Sequence, residues 1–355
     1  MREFVYTGHP ARVLFGDGAL AKLPAEVERL GLKRALVLAT SQQGPSAEMT
    51  AAALNEKAAG VFAEAAMHTP VDITERAMAR VHELGVDGLV AVGGGSTIGL
   101  GKAIALRTGL PQIVAPTTYA GSEMTPILGE TMDGVKTTQV SLEVLPETVI
   151  YDVGLTLTLP ARLSATSGLN AMAHAVEALY AREANPITAM MAEEGLRVFA
   201  SALPRIVTEP ADSEARSDAL FGAWLCGTCL GTVGMALHHK LCHTLGGTFD
   251  LPHSDTHAIV LPYAVAYNAP AAPQAMSRIS RALGVKDAVL GLRELALRIG
   301  APKALRDIGM PEQGIDRAAE LALSNPYWNP RPLQRNSIRQ LIADAWAGAP
   351  PGTYA

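Results

Sequence analysis

The strongest constraint on this chain is a change of period at Asp152. Before it, short β-branched runs alternate with longer amphipathic ones; after it, Ala, Leu, Met and Glu fill long stretches at helical spacing. Strands that run parallel need a crossover between them, and an amphipathic helix is the usual one, so the first half reads as a parallel sheet with helices. Residues 34–40, 88–92, 112–116 and 148–151 read as strands. Residues 46–59 and 72–84 read as helices, the second with Ile73, Ala77, Arg80, Val81 and Leu84 at helical spacing. Phe4 to Phe15 reads as an extended piece at one sheet edge. The expected organisation is an α/β domain over residues 1–155 followed by an all-α domain over 156–355. In the helical half Pro160 and Ala161 open one helix and Ser167 caps the next, from about Gly168 to Ala181, with prolines punctuating the later ones.

Charge narrows the partners. The 29 Lys and Arg stand against 34 Asp and Glu with no basic run, so no footprint for nucleic acid or acidic lipid is expected. The three cysteines, Cys226, Cys229 and Cys242, are too few and odd in number for a disulfide framework; they suit a reducing compartment, and the cytoplasm is the expectation. The opening MREFVYTGHP has early charges and no apolar core of a secretory signal. Ala219 to Leu237 carries no charge and approaches the length of a bilayer span, but its glycines and threonines and the following His238, His239 and Lys240 favour a buried helix over a membrane segment.

Two loops carry phosphate-binding chemistry. Gly93, Gly94, Gly95, Ser96 and Thr97 follow a strand and open a helix, where backbone N–H groups and the helix dipole favour a pyrophosphate. The register is neither Gly-x-Gly-x-x-Gly, since Ile98 stands at the third glycine, nor a Walker loop. Thr117, Thr118 and Ser122 follow the next strand at the carboxyl edge, where open α/β sheets bind ligands. Thr40 and Ser41 end the strand at which an acidic residue would favour the free ribose hydroxyls; neutral hydroxyls there leave NADH and NADPH both open.

The helical half carries a histidine series. Asn170 and His174 lie four apart on one helical face, His239 and His243 repeat the spacing at the end of the long uncharged helix, and His253 follows ten residues later. Three or more imidazoles converging in an apolar setting point to a site of ligand-like geometry. His238 and His257 read as structural or rim residues. Cys226 and Cys229, with no second pair, read as small core residues rather than a redox or zinc motif.

Gly-Gly-Gly-Ser at 93–96, Pro-Thr-Thr at 116–118, Gly-Ser-Glu at 121–123, Leu-Thr-Leu-Thr-Leu-Pro at 155–160 and the histidine series together resemble the iron-containing alcohol dehydrogenase-like superfamily over about residues 10–345. The resemblance implies a nicotinamide cofactor on a Rossmann-like N-terminal domain, a reacting centre on a helical C-terminal domain, and a homodimer. Metal-dependent members hold a divalent cation with an Asp and three His; the matching positions here are Asn170, His174, His239 and His253, so the one anionic ligand is replaced by an amide. Gly99 stands where most alcohol dehydrogenases of the family carry Asp. With Asn-Pro-Tyr-Trp-Asn-Pro-Arg-Pro at 325–332, these departures are similar to the maleylacetate reductase branch.

That branch implies NAD(P)H-dependent reduction of the conjugated double bond of maleylacetate or its chlorinated analogues to 3-oxoadipate, in aromatic-compound breakdown. No metal is expected. Hydride addition to a conjugated alkene leaves an enolate, which hydrogen-bond donors can stabilise, whereas an isolated aldehyde gives a more basic alkoxide that asks for a Lewis acid. His243 and His253 are the first expectation for polarising the carbonyl or donating the proton. His174, His239 and Asn170 complete a donor set for a dianionic substrate, and Lys136 aligns with a family lysine near the cofactor. A metal-dependent alcohol dehydrogenase and a dehydroquinate synthase-like lyase are the alternatives.

Overall fold

The computed structural model describes residues 3–9, 12–132 and 134–354, the side chains of Val135 and Lys136 excepted. Contacts divide the chain between Leu159 and Pro160, with residues 3–7 grouped with the second unit.

The first unit is built on β1 (Arg12–Gly16), β2 (Ala35–Leu38), β3 (Ala58–Phe62), β4 (Gly88–Gly93), β5 (Gln112–Pro116), β6 (Ile127–Met132), β7 (Val135–Val140) and β8 (Thr148–Asp152), with α1 (Leu23–Arg29), α2 (Gly44–Leu54), α3 (Val71–Leu84) and α4 (Gly95–Thr108). A six-stranded sheet runs β1-β8-β5-β4-β2-β3, and each of its pairs is parallel. β2, β4, β5 and β8 are buried along their whole length, which is why they read as continuous apolar runs. Apolar clusters cover both faces, one around Val27, Val37, Val90 and Ile150, the other around Leu36, Leu89, Ile104 and Val114.

From β2 the chain steps outward to β3, then crosses back to β4 on the other side of β2. That reversal creates a topological switch point at the carboxyl ends of β2 and β4. The four expected strands are present, and β1 within the extended N-terminal piece forms an edge. The expected helix over 46–59 stops at Leu54, and Ala58 to Phe62 joins the sheet instead. β6 and β7 form a separate antiparallel hairpin.

The second unit is helical: α5 (Ala161–Tyr180), α6 (Pro186–Thr208), α7 (Ser213–Thr232), α8 (Leu237–Phe249), α9 (His253–Asn268), α10 (Pro273–Leu283), α11 (Ala288–Arg298), α12 (Gly314–Leu323) and α13 (Arg335–Ala347). α5 runs unbroken from Pro160, so Ser167 is not a cap; it lies buried in the helix interior, with Asn170 and His174 on later turns. The Asn185 side chain closes a capping box on α6, and that of Asp212 caps α7.

The uncharged run from Ala219 is not one helix. α7 ends at Thr232 and α8 restarts at Leu237 with a 95° bend, and among the described residues no single helix is long and apolar enough to cross a membrane. His239 and His243 therefore sit in the first two turns of a new helix rather than at the end of α7. Cys226 and Cys229 are buried in packing: a Cβ on Gly195 would lie 2.7 Å from Cys226 Sγ, and the Cys229 thiol donates to Thr188 O at 3.6 Å.

Candidate active site

At the switch point the loops after β2, β4 and β5 are tied together. Gln43 Nε2 donates to Thr117 Oγ1 at 2.9 Å, the Thr40 hydroxyl donates to Gln43 Oε1 at 3.3 Å, and Thr117 N donates to Gly93 O at 3.1 Å. Close packing explains the first two glycines. A Cβ on Gly93 would lie 2.3 Å from Thr97 Oγ1, and one on Gly94 would lie 2.9 Å from Thr118 Cγ2. Gly95 opens α4, whose first turn holds no acidic residue to neutralise the dipole, so Gly95 and Ser96 present the helix N-terminus. Thr97 is fully buried with its hydroxyl turned under Gly93.

Gly99 has a steric reason: an added Cβ would lie 2.3 Å from Thr69 Oγ1. Thr69 occupies that space from a backbone of positive φ, 47°, which a β-branched residue rarely adopts, and its carbonyl accepts from Thr131 N at 3.2 Å.

Lys102, at the end of the glycine-rich motif, does not face a ligand. It is fully buried, and its Nζ donates to Ser122 O (2.6 Å), Thr125 O (2.7 Å), Thr125 Oγ1 (3.0 Å) and Ile127 O (2.9 Å). This side chain fastens the 117–127 loop to α4. Burial pushes its pKa down to about 7, with nearby Glu123 opposing the shift. Glu123 itself points inward, accepts from Tyr151 OH at 2.8 Å and is pushed up by burial. Ser122 opens a short helical turn on this loop. Lys136 lies on β7, but its side chain is outside the described residues.

The second assembly lies in the helical unit. α5 supplies Asn170, His174 and Glu177; α8 supplies His238, His239, Cys242 and His243; α9 supplies His253 and His257. Six imidazoles touch one another. Ring centroids are 5.1 Å apart for His174–His239, 5.1 Å for His239–His257, 6.2 Å for His239–His243, 6.4 Å for the stacked His243–His253 and 4.3 Å for His253–His257. His174 and His239 are buried with Asn170, while His243 and His253 are exposed.

His238 and His257 are not rim residues. Both are fully buried; His238 Nε2 and His257 Nδ1 share a 3.0 Å hydrogen bond, and Cys242 Sγ lies 3.6 Å from His238 Nε2. Among the described residues this His238–Cys242–His257 set is the only His, Cys, Asp or Glu group whose candidate metal-ligand atoms converge within 4.8 Å. The outer nitrogens, His238 Nδ1 and His257 Nε2, have no partner, whereas a metal-bound imidazole needs an acceptor there. The triad therefore reads as a hydrogen-bonded packing unit.

Burial, followed by neighbouring imidazoles, holds His174, His238 and His257 well below the ordinary imidazole range. Asn170 Oδ1, His174 Nδ1 and His239 Nε2 are buried without a hydrogen-bond partner.

Sequence reasoning passed over Glu177, which is fully buried at the break between α7 and α8. Its Oε2 accepts from Ala236 N (2.9 Å), His239 N (3.4 Å) and His239 Nδ1 (2.7 Å), and its Oε1 accepts from His238 N (2.8 Å). Asn329, from the 325–332 segment, accepts from Leu237 N at 3.3 Å and exchanges hydrogen bonds with Asn268. The first turn of α8 is thereby secured by two distant side chains, which accounts for the abrupt bend.

Comparison with known proteins agrees with both units. The model of the iron-containing alcohol dehydrogenase matches residues 10–153, and that of the Fe-containing alcohol dehydrogenase family, C-terminal, matches 164–346. Maleylacetate reductase of Rhizobium sp. (strain MTP-10005) is 57% identical over 99% of this chain and 100% of its own length. That of Burkholderia cepacia is 54% identical over 99% of this chain and 100% of its own. The crystal structure of maleylacetate reductase from Agrobacterium tumefaciens superposes with a TM-score of 0.96 at 56% identity, covering 99% of this chain and 100% of that one. With both units matched in order over nearly all its length, the chain belongs to the iron-containing alcohol dehydrogenase family and is an oxidoreductase.

Proposed function

We propose that this protein reduces maleylacetate, and its chlorinated analogues, to 3-oxoadipate with NADH or NADPH. The observation that carries the reading is the imidazole cluster with an amide, not a carboxylate, at Asn170, in a chain more than half identical to maleylacetate reductases along its full length. Supporting the cofactor assignment, Gly93 to Ser96, Thr40, Thr117 and Thr118 meet at the switch point of the parallel sheet, where dinucleotides bind. Bound there, the nicotinamide supplies a hydride to the alkene carbon.

The work of the helical unit is to stabilise charge. As the hydride arrives, the alkene π electrons move toward the ketone and negative charge collects on its oxygen. Imidazole donors and the Asn170 amide take up that charge, and one proton completes the reduction. The exposed His243 and His253 are the proposed contacts to substrate carboxylate and carbonyl.

The family's usual metal-ligand set is incomplete in these residues. The matching positions, Asn170, His174, His239 and His253, offer three imidazoles and an amide, so the one anionic ligand of the metal-dependent members is missing. Three imidazoles alone can hold zinc, so the loss of the carboxylate weakens the hold on a divalent cation without abolishing it. We therefore propose reduction without a metal, by a cytoplasmic homodimer; three buried free thiols suit a reducing compartment.

Isotope tracing tests the reaction. With NADH deuterated at the transferred position, the product 3-oxoadipate should carry deuterium on a former alkene carbon. Deuterium on a carbinol carbon would mean carbonyl reduction and would replace this reading with that of an alcohol dehydrogenase.

A further inference from the structure

Gln43 stands where three loops of the parallel sheet meet, and its amide is used at both ends. Nε2 donates to Thr117 Oγ1 at 2.9 Å, and Oε1 accepts from the Thr40 hydroxyl at 3.3 Å. Gly93 leaves room for this amide, since a Cβ there would lie 2.8 Å from Gln43 Oε1. A hydroxyl has one hydrogen and two lone pairs, so each bond fixes what its threonine has left to offer. Thr117, accepting from Gln43, keeps its hydrogen; Thr40, donating to Gln43, keeps only lone pairs. Neither hydroxyl has a further hydrogen-bond partner among the described residues.

We propose that Gln43 is a positioning residue that sets cofactor preference: it turns Thr117 into a donor and Thr40 into an acceptor for the dinucleotide, and so favours NADH over NADPH. The inference rests on the cofactor site proposed above. Thr40 follows β2, the strand paired with β4 and its glycine-rich loop, and in nucleotide-binding sheets that strand end recognises the adenosine ribose. The free 2′-hydroxyl of NADH can donate to the lone pairs of Thr40. The 2′-phosphate of NADPH carries about −1.5 to −2 charges at neutral pH, accepts rather than donates, and meets lone pairs there. Ser41 is exposed and offers its hydroxyl to either cofactor, but a phosphate at this place calls for an arginine as well, and residues 40–43 hold no cation. The Thr117 hydrogen is common to both cofactors, so it adds affinity without choosing between them.

The test titrates NADH and NADPH into the full chain without substrate, following nicotinamide fluorescence. The wild-type protein should bind NADH at least about tenfold more tightly, the effect of one hydrogen bond made in one complex and refused in the other. Equal affinities, or a preference for NADPH, would overturn the proposal. Gln43→Met removes both amide bonds and frees Thr40 to donate. NADH affinity should fall by about 3–30-fold, and the two affinities should come within about threefold of each other. A merely structural role would weaken both cofactors equally, so an unchanged preference in folded Gln43→Met would refute the positioning role. Gln43→Glu still accepts from Thr40 but cannot donate to Thr117; both cofactors should bind at least about threefold more weakly with the preference for NADH kept, and unchanged affinity for both would count against the proposal. If Gln43→Met does not fold, Gln43→Glu and Thr40→Val decide: Thr40→Val should lose the preference, and a preference retained there would overturn the proposal. A chain that binds neither cofactor would remove the cofactor site itself, whereas one that binds both alike removes only this inference.

Discussion

Replacing Lys102 by Met tests the account of the cofactor edge, because the side chain is of similar length but cannot donate. In the folded chain its ammonium satisfies four oxygens, of which Thr125 O and Thr125 Oγ1 belong to a residue only 1% exposed. A buried acceptor left without a partner costs about 1–3 kcal/mol. Ser122 and Ile127 are half-buried and recover part of their loss from water, and methionine is relieved of burying a charge. The net loss should be about 2–4 kcal/mol, which for a unit of this size lowers Tm by about 4–16 °C. NADH affinity should fall with it, since the loop bearing Thr117, Thr118 and Ser122 loses its fastening. Calorimetry and fluorescence titration with NADH read the two effects. A pH series adds a signed check. With a folded pKa of about 7 against 10.5, the unfolded chain binds more protons between those values, so this lysine's contribution makes stability rise with pH across that window. The Met variant should lack that contribution. Unchanged Tm and unchanged NADH affinity in Lys102→Met would refute the fastening role.

Gly99→Asp should destabilise this chain by about 1–3 kcal/mol, because the space is filled by Thr69 Oγ1; the double variant Gly99→Asp/Thr69→Gly should recover much of the loss in thermal melts. Tyr151→Phe removes the hydroxyl that donates at 2.8 Å to buried Glu123 and should cost about 1–3 kcal/mol by urea unfolding without changing the helical unit's chemistry. The helical unit should be sensitive to acid. His174, His238 and His257 are held below their unfolded values, so the unfolded chain binds more protons as pH drops below about 6.5, and stability is lost in that direction. His257→Gln should flatten the slope by up to about 1.4 kcal/mol per pH unit, read from urea midpoints between pH 5 and 7; an unchanged slope would mean that ring already titrates normally.

Much of this fold could be read from local pattern, because buried parallel strands are continuous apolar runs bounded by turn residues, as at 88–93 and 112–116. Ala58 to Phe62 was hidden because Ala and Gly suit neither period strongly; its strand state comes from pairing with β2. The bend before α8 was hidden for a different reason. Nothing in Val233 to Ala236 forbids a helix as proline would; the chain turns because Glu177 accepts the N–H groups of Ala236 and His238 from about sixty positions away. Glu177 left one local trace, its place three residues after His174 on the same face of α5. His257 left another, four residues after His253. Lys102 could be seen only as the end of a glycine-rich motif, and its inward direction followed from the loop that folds over it.

The most direct measurement of the central claim follows absorbance at 340 nm with maleylacetate and NADH or NADPH, before and after exhaustive chelation, with metal content determined on the same sample. The account predicts an equal rate in both samples and no stoichiometric divalent metal. A rate abolished by chelation and restored by Fe²⁺ or Zn²⁺ would contradict it.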